Sequence, residues 1–439
     1  MTAGPHRAAA SPDLVDSRYA MTRLLVTLVI MTIGASAMYV VPVVLPAVQA
    51  EFGVARADAS LPYTLLMIGF GVGGMLMGRL ADRFGVMVPL LVGAVGLGVG
   101  YIAASMAQGI WVFALAHGVL MGLLGCSATF APLMADTTLW FARRRGIAVA
   151  VCASGNYVGG AIWPPIVQHF VEVAGWRQTY LGLGIFCALS MGALALLMRQ
   201  RPPAAVQVAT APGSGQAARA WPGAAFPGDR PFGLPAGHAL VLLCVAGVAC
   251  CVAMSMPQVH IVAYCTDLGF GAARGAEMLS LMLACGVVSR LVFGVISDRI
   301  GGLRTLLLGS MLQGIALLLF LPFNGLVSLY LIAALFGLFQ GGIVPSYAII
   351  VREYFSPSSA GARVGAVIMC TMLGMALGGW MSGKVFDLTG SYQAAFINGI
   401  GWNVLNMVIV LFLLSRVRRG GVGAGSAGMP SAVGTSPRP

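Results

Sequence analysis

Residues 78–85 read Gly-Arg-Leu-Ala-Asp-Arg-Phe-Gly and follow directly on a long apolar run. The same pattern returns 216 residues later, where residues 294–301 read Gly-Val-Ile-Ser-Asp-Arg-Ile-Gly at the end of a second apolar run. A charged turn that recurs at such a spacing indicates a chain built from two structurally related halves.

Two further matches support the duplication. Glu-Phe-Gly at 51–53 corresponds to Asp-Leu-Gly at 267–269, again 216 residues apart, and Gly175 corresponds to Gly390 at a spacing of 215. Three markers at nearly equal spacing predict a repeat in which each half has the same number of elements.

The composition identifies the solvent of this protein as lipid. Of 439 residues, 59% are hydrophobic and 9% charged, whereas a soluble globular domain carries about 25% charged residues. A membrane-spanning helix needs about 20 apolar residues. We therefore predict an all-α membrane protein with twelve spans in two six-helix bundles, at residues 23–48, 60–80, 87–107, 111–135, 146–170, 177–198, 238–264, 276–297, 304–323, 327–350, 363–386 and 392–415.

The net charge of +12 is explained by membrane topology. With the N-terminus on the cytoplasmic side, twenty of the 25 arginine and lysine residues lie on that side, and four lie on the other. Cytoplasmic loops carry the excess of positive charge, so we predict a multi-pass protein of the plasma (inner) membrane with both termini cytoplasmic. Nucleic acid is not expected as a partner, and the lipid bilayer is.

The domain organisation follows from the same features. We predict a cytoplasmic N-terminal segment at 1–22, a six-helix bundle at 23–198, and a second bundle at 238–416. The Pro-, Gly- and Ala-rich stretch at 199–237 is predicted to be a cytoplasmic linker, and 417–439 a disordered cytoplasmic tail.

The doubled turn resembles the signature of the major facilitator superfamily, which implies two bundles around a central cavity that opens alternately to either side. The resemblance covers about residues 20–416. In each turn, the acid could pair with arginine or accept from helix N–H groups and so latch the bundles in one state. The latch residues are predicted to be Gly78, Asp82, Arg83 and Gly85 in the first turn and Gly294, Asp298, Arg299 and Gly301 in the second.

A narrower resemblance is to the monocarboxylate-transporter family and its bacterial relatives, including oxalate/formate-type exchangers. It rests on residues 140–146 and 153–155 at the start of span 5, residues 259–269 at the end of span 7, and residues 289–294 around an arginine in span 8. That resemblance implies a small organic anion as substrate and Arg290 as the substrate arginine.

Arg290 is the one charge that topology does not explain. It lies eight residues before Asp298, roughly 12 Å along a helix and thus close to the bilayer middle. An arginine there costs roughly 3 kcal/mol on insertion scales, and the spans offer no acid at that depth to pair with it. A guanidinium fits a carboxylate, so we predict that Arg290 binds an anionic substrate.

Other candidate residues follow from the helices that line such cavities. We expect substrate contacts from His260, Tyr347, Asn156 and Tyr39. Animal members of the family are expected to use a span 1 lysine and an acid one turn before the arginine. Here span 1 has no such lysine and Gly286 occupies the second position. Either His260 or Asp136 carries the proton, or the substrate anion carries it to Arg290, or the protein is an exchanger or facilitator. Dicarboxylate exchangers of the related type are expected to carry a second cation in span 11. The only lysine, Lys384, lies near the outer end of that span and is expected to pair locally with Asp387 instead, which favours a monocarboxylate as substrate.

The leading hypothesis is secondary active transport of small monocarboxylates by alternating access, linked to protons. Efflux of amphipathic compounds through a Met- and Phe-rich pocket, and anion exchange without proton coupling, remain alternatives. No catalytic arrangement, cofactor motif, metal-ligand spacing or ATPase module is present in the sequence, so we predict neither an enzyme nor a metal or cofactor site. A sensor is disfavoured because neither linker nor tail is long enough to hold a signalling domain.

Overall fold

The computed structural model describes residues 14–143, 145–201, 230–356 and 360–425. It is all-helical and confirms twelve helices long and apolar enough to span a membrane. Spans 1 to 12 run over Arg18–Phe52, Arg56–Phe84, Met87–Ser105, Ile110–Trp140, Gly146–Ala174, Trp176–Leu197, Ala236–Asp267, Ala272–Ile300, Gly302–Leu319, Leu326–Tyr354, Ala360–Thr389 and Tyr392–Val417.

Three pairs of glycines that marked the repeat in the sequence take positive φ angles. The three pairs are Gly53 and Gly269 (62° and 81°), Gly85 and Gly301 (82° and 82°), and Gly175 and Gly390 (82° and 67°). Each lies at a helix end, where the chain must turn through a left-handed conformation that glycine adopts without steric strain. The repeat is therefore carried by backbone geometry that only a few residue types tolerate.

A fourth repeated feature escaped the sequence analysis. Asp16 and Phe232, again 216 residues apart, are the two non-glycine residues with positive φ among those described, at 56° and 59°. Asp16 accepts hydrogen bonds from the backbone N–H groups of Ala142 and Arg143, after the end of span 4. Phe232 packs on Tyr354 at the end of span 10. Each residue lies in the segment before the first helix of its bundle and fixes that segment to the end of the bundle's fourth helix.

Four spans are not regular helices. Span 1 divides at Ala35, span 2 divides near its start at Ser60, span 4 contains a π-helical segment at Ala116–Cys126, and span 10 is interrupted at Gly341 and Gly342. An added Cβ atom at Gly341 would lie 2.8 Å from the backbone nitrogen of Arg290. The interruption of span 10 therefore brings its backbone directly against span 8 at Arg290.

Two predicted domain boundaries differ from the helix ends in the structure by five residues or more. The last helix continues to Gly425, so residues 417–425 are helical where a disordered tail was expected. Once a helix is established, each further residue adds a hydrogen bond at low entropic cost, which lets it run past the apolar stretch. The first span begins at Arg18 rather than at residue 23. Most of the predicted linker, residues 202–229, lies outside the described residues.

Candidate substrate site and gate

Arg290 lies where spans 5 and 8, one from each bundle, touch. Its Nη1 donates to the carbonyl oxygen of Ala153 at 2.9 Å, and its guanidinium carbon lies 4.4 Å from the ring centroid of Tyr157. Its Nε is buried without a hydrogen-bond partner among the described residues, and no described carboxylate forms an ion pair with it. A buried charged donor is costly to leave without an acceptor, so this nitrogen is suited to binding an anion between the bundles.

Two of the predicted substrate residues lie beside this arginine. The Tyr39 hydroxyl donates to Asn156 Oδ1 at 2.8 Å, and Asn156 directly precedes Tyr157. Tyr39 is also within electrostatic reach of Arg290, with Tyr63 and Tyr157 alongside. The structure therefore brings Tyr39, Asn156 and Arg290 to one region between the bundles.

Tyr157 is a residue that the sequence analysis missed. Its ring fills the space next to Gly286, because an added Cβ atom there would lie 2.7 Å from two ring atoms. A side chain at 286, such as the acid that the family resemblance led us to look for, would displace this ring. A tyrosine in an apolar helix carries no sequence signal that separates such a role from ordinary packing.

The other two predicted substrate residues lie elsewhere. Tyr347 is fully buried inside the second bundle and donates to Asn406 Oδ1 at 3.1 Å. His260 is also fully buried, with Nε2 2.8 Å from the Gly379 carbonyl oxygen. Their hydrogen-bond partners lie on helices of the second bundle, and neither bonds to Arg290 among the described residues. Helix number alone did not determine which face of spans 7 and 10 is turned to the cavity.

We call the side that carries the turns 78–85 and 294–301 the motif side, and the opposite side the gate side. Toward the gate side the bundles touch closely: Ser280 of span 8 donates to the Ala161 carbonyl oxygen of span 5, and Thr64 of span 2 donates to the Ala376 carbonyl oxygen of span 11 at 3.1 Å. Toward the motif side the same helix pairs separate.

The separation of the helix pairs can be followed on glycines. A Cβ atom at Gly71 of span 2 would contact Met369 of span 11. Closer to the motif side on these two helices, an added Cβ atom would meet no atom within 4 Å. The same is true of spans 5 and 8 on the motif side of Arg290. These open positions are Gly74, Gly78, Gly146, Gly294, Gly361 and Gly365. The interface between the bundles is therefore closed at the gate side and open at the motif side.

Arg56 closes the gate side from span 2. Its guanidinium pairs with Asp267 of span 7 at 3.1 Å and lies 4.7 Å from the Phe386 ring centroid. The backbone N–H groups of Arg56 and Ala57 both donate to the Asp387 carboxylate at 2.8 Å. We call the contacts of Arg56 with Asp267 and Asp387 the gate.

The expected local pair of Lys384 and Asp387 is wrong. Asp387 is instead bound by two backbone N–H groups of the other bundle. Lys384 is exposed on the same helix and forms no ion pair among the described residues. Two oriented N–H donors hold a carboxylate better than a flexible, hydrated ammonium three residues away.

The two motif turns are exposed and unengaged. Among the described residues, Asp82 and Asp298 form no hydrogen bond or ion pair, and both are exposed, as are Arg83 and Arg299. A latch between bundles would be released where the bundles have parted, which is the case on this side. The latch role of the residues in 78–85 and 294–301 stays a prediction.

Asp136 is bound in an ion pair that the sequence did not suggest. Arg23 Nε and Nη2 donate to its two carboxylate oxygens at 3.0 and 3.1 Å, and the Arg23 guanidinium lies 4.6 Å from the Trp140 ring centroid. Both side chains are buried, with 3% and 8% of their surface exposed. The structure thus places Asp136 in the first bundle with Arg23, rather than with Arg290.

Two related six-helix bundles, closed at one side and parted at the other around a central cation, are an architecture typical of membrane transporters. Comparisons with known proteins also indicate a transporter. The family model of the Major Facilitator Superfamily matches residues 26–323 and, in a second match, residues 241–434. The chain belongs to the major facilitator superfamily, and it is a transporter rather than an enzyme.

Individual relatives narrow the resemblance. The chain is 26% identical over 349 residues to monocarboxylate transporter 13 of Rattus norvegicus, covering 77% of this chain and 75% of the relative. It is 25% identical over 373 residues to monocarboxylate transporter 4 of Mus musculus, covering 83% and 76%. The crystal structure of the peptide transporter POT in complex with sulfate superposes with a TM-score of 0.68 at 13% identity, covering 91% and 95% of the two chains. This last likeness concerns the fold alone.

Proposed function

We propose that this protein is a secondary transporter of small organic monocarboxylates and that Arg290 binds the substrate carboxylate. The observation that carries the proposal is the buried Arg290 Nε, which has no acceptor among the described residues and lies at the contact between the bundles. One fixed guanidinium suits one carboxylate, which can bind through two parallel hydrogen bonds. The resemblance to proteins named monocarboxylate transporters supports the same class of substrate.

We further propose that the motif side is cytoplasmic and that the protein lies in the plasma (inner) membrane with both termini in the cytoplasm. The distribution of arginines supports this orientation. The conformation is then inward-facing: the gate of Arg56 with Asp267 and Asp387 blocks the outside, and the parted motif side admits substrate from the cytoplasm. Tyr39 and Asn156 lie close enough to the arginine to shape the cavity around the bound acid.

Proton linkage is part of the proposal, with His260 as the stronger candidate carrier. Asp136 is weaker in this role because its carboxylate is already neutralised by Arg23. Anion exchange without proton coupling is the second candidate function, and a specific observation favours it. No described carboxylate pairs with Arg290, so an empty site keeps an unneutralised cation that hinders reorientation without substrate.

Uptake into proteoliposomes tests the proposal. We expect saturable uptake of at least one acid from a radiolabelled panel of small monocarboxylates, and acceleration by an inward proton gradient. Uptake that requires an internal monocarboxylate and ignores the gradient would instead establish exchange. If a folded, reconstituted protein takes up none of the acids, the monocarboxylate assignment is wrong, and efflux of amphipathic compounds becomes the hypothesis to test.

A further inference from the structure

Tyr392 connects the gate to a buried histidine. Arg56 Nη1 donates to the Tyr392 hydroxyl, which lies 3.4 Å from His260 Nδ1. An arginine can only donate, so the hydroxyl accepts from Arg56 and its single hydrogen is directed to Nδ1. Closure of the gate therefore fixes the direction in which Tyr392 donates.

The same arrangement fixes His260 in its neutral form. Its Nε2 lies 2.8 Å from the Gly379 carbonyl oxygen, which can only accept, so Nε2 carries the hydrogen. Nδ1 is then the acceptor for Tyr392. A second proton on Nδ1 would point at the Tyr392 hydrogen, and the fully buried ring is shielded from solvent.

The charges around His260 act in the same direction. Arg56 of span 2 is the cation next to it, and Asp387 of span 11 is the nearby acid, with Asp267 and Tyr264 on its own helix and Tyr392 on span 12. While the gate is closed, Arg56 occupies both carboxylates through its guanidinium and its backbone. A histidinium would therefore face a cation and find no free acid.

Withdrawal of span 2 reverses each of these conditions. Arg56 leaves, Asp267 and Asp387 are released, and the Tyr392 hydroxyl can rotate to accept a hydrogen bond from a protonated Nδ1. We propose that Arg56, Tyr392 and His260 form a proton-operated gate, in which a closed gate and a protonated His260 exclude each other. Tyr392 acts as a positioning residue. The presence of Arg56 sets the direction of its hydroxyl hydrogen, and that direction determines whether His260 Nδ1 can hold a proton.

Linkage gives the direction of the effect. If the proton binds the gate-open state more tightly, lowering the pH on the gate side must shift molecules toward that state. Histidine normally titrates between pH 5 and 8, so an acidic exterior would hold the transporter open to the outside. This role deepens the proposed proton linkage and rests on it, but its test needs no substrate.

Spin-label distances across the gate provide the test. Cysteines introduced at the exposed Ala55 and Leu388 report gate opening, while the native cysteines among the described residues are buried or half-buried in the spans. Without substrate, we expect the gate-open population to rise about threefold or more between pH 7.5 and 5.5. His260→Gln, which keeps a donor for the Gly379 carbonyl, should abolish the response.

Two further variants separate the relay from a general effect of pH. Tyr392→Phe keeps the ring but removes the hydroxyl, and should lose most of the response even if His260→Gln folds poorly. His169→Gln removes an exposed histidine of span 5 and should respond like the wild type. A wild-type distance distribution that does not change with pH overturns the proposal, as does a full response in His260→Gln. Either result leaves the monocarboxylate assignment untouched, because uptake is measured separately.

Discussion

Arg290→Gln is expected to abolish saturable monocarboxylate uptake, with a fall in kcat/KM of about 100-fold or more. The substitution removes the charge and both Nη groups while keeping one amide donor at about the distance of Nε. A hydrogen bond between charged partners contributes about 1.5–3 kcal/mol, and about 1.4 kcal/mol corresponds to a factor of ten. Initial rates of uptake into proteoliposomes measure the effect.

Arg290→Lys and Arg274→Gln are the matched controls. Lysine keeps the charge but loses the planar pair of donors and the stacking on Tyr157, so its activity should fall between wild type and Arg290→Gln. Arg274 lies on the same span, is exposed and pairs with Glu277, so its replacement should leave uptake unchanged. Normal uptake by a correctly inserted Arg290→Gln protein would remove Arg290 from the site.

Arg23→Leu is expected to destabilise the protein by about 3–5 kcal/mol, because it leaves the buried Asp136 carboxylate without a partner. The same change removes the stacking of Arg23 on Trp140. Thermal unfolding in detergent, followed by Trp fluorescence, should show a clear fall in Tm. An unchanged Tm would mean that water reaches Asp136 and solvates it.

The double variant Arg23→Leu/Asp136→Leu separates charge from packing. A buried ion pair can often be replaced by apolar side chains at little cost, so the double variant should recover most of the lost stability. It also tests the second proton candidate. If uptake by the double variant still accelerates under a proton gradient, Asp136 does not carry the proton. Loss of that acceleration in a stable double variant would favour Asp136 over His260.

The fold could be predicted because the bilayer leaves few solutions. Backbone polar groups have no water in the hydrocarbon core, so each span must be a helix with a long apolar run, and such runs are visible in sequence. The turns at 78–85 and 294–301 stood out because charge is rare in this chain. Gly85 and Gly301, which end these turns, were informative because a positive φ restricts the residue type.

The site was only partly predictable for an equally physical reason. Arg290 could be found because a charge at membrane depth requires an explanation, but its contacts come from a distant part of the chain. Arg56 and Asp387 meet across 331 residues through side-chain and backbone geometry that has no sequence spacing. Tyr347 and His260 were placed on the correct helices, but the faces on which they lie depend on how those helices pack.

Several helical glycines on the motif side face open space, so close packing in this conformation does not explain them. Glycine inside a helix costs about 1 kcal/mol relative to alanine, and at Gly74 and Gly365 no neighbour within 4 Å requires so small a residue. If the protein alternates between two conformations, as the proposed transport cycle requires, these surfaces meet in the other one, and glycine provides the clearance for that contact. On that view, the helices lose a little stability in the present conformation because their glycines are needed for close packing in the other one.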